Sequence, residues 1–258
     1  MRGLFVITRK ELAGFFASPT FYVLLFLVAA ILSYVYPIQL ILFQQLVSTY
    51  VMQPGLPAQQ LNIHYGVFLR LLSYLNLMLI FVVPALTMKL IAEEKKMRTF
   101  DLLLTAPVTS AQIVVGKYLA ALGAIMGIMA LAFLYPLVTA GFSTVQWAPL
   151  VISFVGIFLV GAVYAAMNLF CSSLTESALV AYVMSVILNV SIWFVGMSVE
   201  VIDNQTTRQV FEHLSLNTHL SGLVEGTIRS NAVVFLLSCI VLFVFLAERV
   251  VESSRWRA

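Results

Sequence analysis

Long runs nearly free of charge decide what this chain can fold into. Residues 20–41, 148–170, 177–199 and 231–247 contain no Asp, Glu, Lys or Arg, and residues 67–88 and 111–138 contain one basic residue each. A helix needs about 20 mostly apolar residues to cross a bilayer, and only a helix or a closed barrel satisfies its backbone there. The six stretches therefore predict six transmembrane helices. Only 10% of the residues are charged and 62% are hydrophobic, against roughly 25% charged in a soluble domain. The expected fold is an all-α polytopic membrane protein, one transmembrane domain over residues 1–258.

The basic residues set an orientation. In a six-span layout Arg2, Arg9, Lys10, Lys89, Lys95, Lys96, Arg98, Lys117, Arg249, Arg255 and Arg257 share one side, while Arg70, Arg208 and Arg229 lie on the other. That division, 11 to 3, places both termini in the cytoplasm by the positive-inside rule. A net charge of +3 then marks topology and attraction to lipid headgroups rather than nucleic acid. Residues 1–18 read as an interfacial helix and not a cleavable signal, because Arg9, Lys10 and Glu11 interrupt them. Leu4, Phe5, Leu12, Phe15 and Phe16 are expected to share its apolar side. Ser18 and Pro19 break it before the first span.

Catalytic parts are missing from the pattern. Gly116-Lys117 imitates the end of a phosphate loop, but Ala111 and Tyr118 replace the earlier glycine and the hydroxyl. No HExxH or GxSxG occurs, so no enzyme is expected. Cys171 and Cys239 show no ligand or disulfide spacing, and His64, His213 and His219 fall in outside loops as solvated or capping groups. No metal site is expected. The polar residues of the spans, Ser33, Gln39, Ser73, Asn76, Asn168, Ser185, Asn189 and Ser191, are neutral; most suit helix contacts. Ser185, Asn189 and Trp193 recur at i, i+4 and i+8, a candidate lining for a path or a dimer contact. Gly123 with Gly127, and Gly161 with Ala165, predict close helix approach. Ser173 and Glu176 read as a capping box for the fifth span.

Two outside segments differ. The stretch from Phe43 to Gly66 is uncharged and Gln-rich, with a turn at Pro54, Gly55 and Pro57. Residues 200–230 mix charge, from Glu200 and Asp203 to Glu225, with Leu216, Leu220 and Leu223. They suit one or two short helices dipping into the outer interface as a re-entrant segment.

The most informative stretch is AEEKKMRTFDLLLTAPVTSAQIVVGKYLA, residues 92–120. Met97, Phe100, Leu103 and Leu104 recur at helical spacing, Pro107 ends the run, and Thr109 or Ser110 can cap the next helix. Charges on one flank and a new span on the other describe an amphipathic helix over 92–107 at the membrane surface. This stretch resembles the signature of type-2 ABC exporter permeases, in which paired acids, a basic cluster, a threonine and "LLLT-x-P" precede "GK" plus an aromatic. RKELAGFFASPTFY and VPALTMKLIAEEK are similar to the gliding-motility and nitrous-oxide-reductase-maturation permeases. Met97-Arg98-Thr99 departs from that family, which commonly has a glycine before the threonine.

The resemblance implies a permease of the bacterial inner membrane, working as a dimer with the same or a sister chain. Its first, second and fifth spans would face that partner. Cytoplasmic P-loop ATPases would be separate partners and would hold ATP and magnesium, with no cofactor in this chain. Glu93, Glu94, Lys95, Arg98, Thr99, Leu103, Leu104 and Pro107 would form the coupling helix, supported by Arg9, Lys10 and Glu11. Membrane lipids and an outside-facing accessory protein are further expected partners. The substrate side covers gliding motility or export of a lipid or polymer. The competing class is a membrane anchor or assembly subunit that transports nothing; a secondary transporter would need an intramembrane charge the midplanes lack.

Overall fold

The computed structural model describes residues 2–52, 62–100, 108–198 and 204–255. The expected turn at Pro54, Gly55 and Pro57, the run Leu103, Leu104 and Pro107, and Glu200 and Asp203 lie outside the described residues. Within them the chain is helical throughout: α1 (Arg2–Ala17), α2 (Pro19–Met52), a π-helical turn (His64–Phe68) leading into α3 (Leu69–Thr87), α4 (Lys89–Lys96), α5 (Ser110–Ala140), α6 (Trp147–Leu174), α7 (Ala178–Ser198), α8 (Gln205–Leu214), α9 (Leu216–Val224) and α10 (Ser230–Arg255). Six helices are long and apolar enough to cross a membrane. The all-α polytopic expectation holds.

Their limits depart from the expected ones where no breaker stands. The first span runs on to Met52, because Gln44, Gln45 and Ser48 follow without Gly or Pro and a helix tolerates all three. Of the two readings of the Gln-rich stretch, a polar loop or a short surface helix, residues 43–52 are helical, as a continuation of the first span.

The helix α6 is the hub, packing against α3, α5, α7, α9 and α10. Its small residues allow this. Gly161 meets Ile125 and Leu79, and Gly156 meets Leu223, each so closely that a side chain would press on its neighbour. Two-thirds (67%) of its apolar window is buried, against 22% for α2 and 17% each for α7 and α10. Polar bonds join neighbours as expected: Ser33 Oγ and Tyr135 Oη lie 2.7 Å apart across α2 and α5, and Asn189 Nδ2 donates to Ile80 O at 3.2 Å. Ser73 instead donates to Leu69 O of its own helix.

The stripe on α5 has an unexpected partner. Gly116 faces Ile7 and Gly123 faces Leu12, while Gly127 faces Phe21 at the start of α2. The close approach is made by α1, which runs alongside the first half of α5. On α1 the buried residue is Ile7, while Phe5 and Phe16 are 69% and 44% exposed. Of the residues expected on its apolar side, Leu4, Leu12 and Phe15 are half-buried and Phe5 and Phe16 are exposed.

Candidate functional site at the charged end of the bundle

The site begins where the second span bends. Pro84 inside α3 has no amide to donate and Met88 N closes back on Pro84 O at 2.9 Å. At that bend Ser172 of α6 inserts its hydroxyl. It donates to Met88 O at 3.0 Å and accepts from the amides of Ile91 and Ala92 at 3.2 and 3.1 Å. Early amides of a helix lack partners within it, so a buried serine from another helix serves as the cap of α4. Ile91 and Ala92 are completely buried there.

From this pinned start α4 aims Glu94 at Lys117. Lys117 Nζ lies 2.8 Å from Glu94 Oε1 and 3.1 Å from Glu11 Oε1, with its side chain 1% exposed and both carboxylates 18% exposed. A buried ammonium pays a desolvation penalty of several kcal/mol, which only close, well-aligned partners offset. Two carboxylates from two other helices do so. The three residues Gly116, Lys117 and Tyr118 divide the work: Gly116 admits α1, Lys117 ties α1 to α4, and Tyr118 Oη donates to Ala162 O of α6 at 3.2 Å. The "GK plus aromatic" pattern is thus a three-way junction. Glu94 Oε2 is buried without a hydrogen-bond partner among the described residues.

The rest of the charged stretch is distributed around this node. Lys95 Nζ donates to Ser173 O at 2.6 Å and lies 5.5 Å from the centroid of the Phe100 ring. Glu93, Lys96, Arg98 and Thr99 are exposed, as are Arg9 and Lys10. Arg98 has φ 55°, the one positive φ outside glycine among the described residues. It stands where the permeases that the stretch resembles commonly have a glycine, and a left-handed backbone suits a glycine. Thr109 caps α5 in a capping box with Gln112, and the Ser110 hydroxyl donates to the Glu252 carboxylate near the end of α10. The capping box expected at Ser173 and Glu176 is not formed. Ser173 lies inside α6 and its hydroxyl donates to Phe170 O.

A cavity of about 360 Å³ opens beside the node. Its walls are Lys10, Glu11, Gly14, Phe15, Ser18, Thr20 and Phe21 from RKELAGFFASPTFY, Ala85, Leu86, Lys89, Leu90, Glu93 and Glu94 from VPALTMKLIAEEK, and Lys117. Two motifs more than sixty residues apart in sequence line one space.

The opposite end is held by carbonyls at the end of α9. Val224 O accepts from Ser153 Oγ at 2.7 Å and lies 3.2 Å from His64 Nε2, while Tyr65 Oη donates to Glu225 O at 3.2 Å. His64 is 1% exposed and begins the second span, so of the two expectations, a solvated or a capping loop histidine, it meets the capping one, at a carbonyl at the end of α9. His213 and His219 do bond nearby carbonyls. Gly226 turns the chain with φ 84° against Pro149. Ser185 and Asn189 are fully buried, facing Cys171 and Ile80. Trp193 stands apart from them, lining an outer cavity of about 420 Å³ with Asn76 and Asn217. Among the described residues no cluster of His, Cys, Asp and Glu could hold a metal ion, and both cysteines are free.

Sequence reasoning missed Ser172 and the role of Lys117. Nothing distinguishes one serine among many. Lys117 did carry a signal, since a lysine inside an apolar span needs a partner.

Six apolar helices, one of them the hub α6, with an ion-paired junction at one end, define an all-α polytopic membrane protein. A family model described as ABC-2 family transporter protein matches residues 5–254, and the chain belongs to that family. It is therefore a membrane-spanning permease subunit of an ABC transporter, a family that works with cytoplasmic ATP-binding subunits. No curated protein is similar enough to the chain to count as a match.

Proposed function

We propose that this chain forms half of the translocation path of an ATP-driven exporter in the bacterial inner membrane. It pairs with a second permease chain, the same or a sister, and both termini face the cytoplasm. Two P-loop ATPases carrying ATP and magnesium dock against α4 and the residues after it, up to Pro107. Within this reading the gliding-motility and nitrous-oxide-reductase-maturation permeases are the subgroup, and the work is motility or movement of a lipid or polymer.

The observation that carries the reading is the node of Glu94, Lys117 and Glu11. A force applied to α4 is passed through short, buried, charge-assisted bonds to α5 and α1 together, and through Ser172 to the hub α6. A surface helix without such ties would slide. The exposed apolar faces of α2, α7 and α10 leave area for a partner chain as well as lipid.

Purification from the native membrane in mild detergent, followed by mass spectrometry, tests it. A stoichiometric P-loop ATPase is expected, with reversal of both charges in Glu94→Lys and Lys95→Glu uncoupling hydrolysis from transport. A chain that comes alone, or a double variant that transports normally, overturns the assignment and favours a non-transporting anchor.

A further inference from the structure

Pro84 leaves a gap in the hydrogen-bond ladder of the second span, and another helix fills it. A proline has no amide, so the carbonyl one turn before it loses its helical donor. Here that carbonyl is Ile80 O, and it accepts from Asn189 Nδ2 of α7 at 3.2 Å in the buried interior. A carbonyl freed at membrane depth has no water to turn to and is served by a neighbouring helix. Pro37 of α2 and Pro136 of α5 also stand inside helices. The carbonyls they free, Ser33 O and Ala132 O, receive no side-chain donor among the described residues. Only at Pro84 does a side chain from another span take up the freed carbonyl, again among the described residues.

The bend is thus held at both ends. One turn after Pro84, Met88 O accepts from Ser172 of the hub α6 at 3.0 Å. One turn before it, Ile80 O is held by α7. The two holders differ, because α7 is held on one face only: Ala181, Ser185 and Asn189 are fully buried at i, i+4 and i+8, while Leu179, Val183 and Ile187 are exposed. Asn189 Oδ1 is buried with no partner among the described residues. An amide buried among apolar side chains is costly unless it is bonded. The bond to Ile80 O is the one hydrogen bond that the Asn189 side chain makes there.

We propose that Asn189 is a positioning residue: from the fifth span it sets the bend of the second, and through that bend the direction in which α4 leaves the bundle. A shift of α7 withdraws the donor from Ile80 O and loosens the bend that leads into α4, while Ser172 keeps the lower end in place. The outer face of α7 and the charged segment are thereby linked through one buried amide. The part this plays in transport rests on the reading that α4 meets the ATPase; the control of the bend by Asn189 does not.

The test is a distance measurement on the full chain in nanodiscs. Cys171→Ala and Cys239→Ala clear the background, and nitroxide labels are placed at Lys96→Cys on α4 and Arg249→Cys on α10, both exposed. Pulsed electron resonance is expected to give one narrow distance in this parent and a distribution about twice as broad in Asn189→Leu, which keeps the volume and removes the donor. Pro84→Ala returns an amide to Ile80 O and makes Asn189 dispensable, so Pro84→Ala with Asn189→Leu is expected to match Pro84→Ala alone. Equal distributions in the parent and Asn189→Leu overturn the proposal. So does a broadening that persists in the Pro84→Ala background, because a residue that only packs α7 against α3, or a variant that misfolds, fails in both. The cycle is read without an ATPase, so its failure and the failure of the exporter reading are separate results.

Discussion

Lys117 on α5 and Glu94 on α4 form an ion pair of 2.8 Å although the lysine side chain is 1% exposed. The pair fixes α4, which follows the break at Met88, against α5. Removing one member of such a pair leaves a buried charge, and costs about 3–5 kcal/mol.

Lys117→Met accordingly destabilises the protein by about 3–5 kcal/mol, because Glu11 and Glu94 are left facing each other. Reaction of a thiol dye with Cys171, which is 3% exposed, reports the melting as the bundle opens. Adding Glu11→Gln and Glu94→Gln to Lys117→Met recovers most of the loss. A triple variant no more stable than Lys117→Met would show that the charges are not what the lysine serves.

Arg98→Gly stabilises the turn after α4. An L-residue in the left-handed region costs about 1–2 kcal/mol relative to the right-handed one, and Arg98 at φ 55° is exposed with little to lose. Thermal unfolding should rise slightly, and Arg98→Val should lower it. Equal melting of both variants would put the strain elsewhere.

Ser172→Ala removes the acceptor of the Ile91 and Ala92 amides. Unmade buried bonds of this kind cost about 1–3 kcal/mol. Hydrogen exchange at residues 89–96 should accelerate while the far end of α3 keeps its protection. Uniform acceleration along α3 would mean that the bend is not locally held.

Gly116→Leu pushes α1 off α5, since even a Cβ there stands 2.9 Å from Ile7 Cγ2. Overpacking costs about 1–3 kcal/mol, and Ile7→Ala in the same chain restores part of it. Protease cleavage of the α1 to α2 junction at Ala17 and Ser18 is the readout; unchanged cleavage would argue that α1 is held by other contacts.

Much of the fold was legible from the chain because a bilayer enforces length and apolarity strictly. Six spans were expected and six helices are long and apolar enough to cross a membrane, though they run past the expected limits, as beyond residue 41 in α2 and beyond residue 247 in α10. Of the two candidate caps, Thr109 and Ser110, it is Thr109 that caps α5, with Gln112 closing the box. The histidine at position 64 was misplaced because residue type alone does not separate a loop from the first turn of a span. Ser173 with Glu176 matched a capping spacing, yet Ser173 lies inside α6 and the pattern stays unused.

The sequence by itself determined the membrane class, the number of spans and the charged segment, since each follows from local composition and the high cost of carrying charge into hydrocarbon. It also held the Gly, Lys and Tyr of residues 116–118. Only the tertiary structure decided what they touch. The node needs Glu11 and Glu94 each within about 3 Å of Lys117 across three helices, and short-range electrostatics has no counterpart in sequence spacing. The glycine groove that seats α1, and the space shared by two distant motifs, arise the same way, from packing that brings remote surfaces into contact.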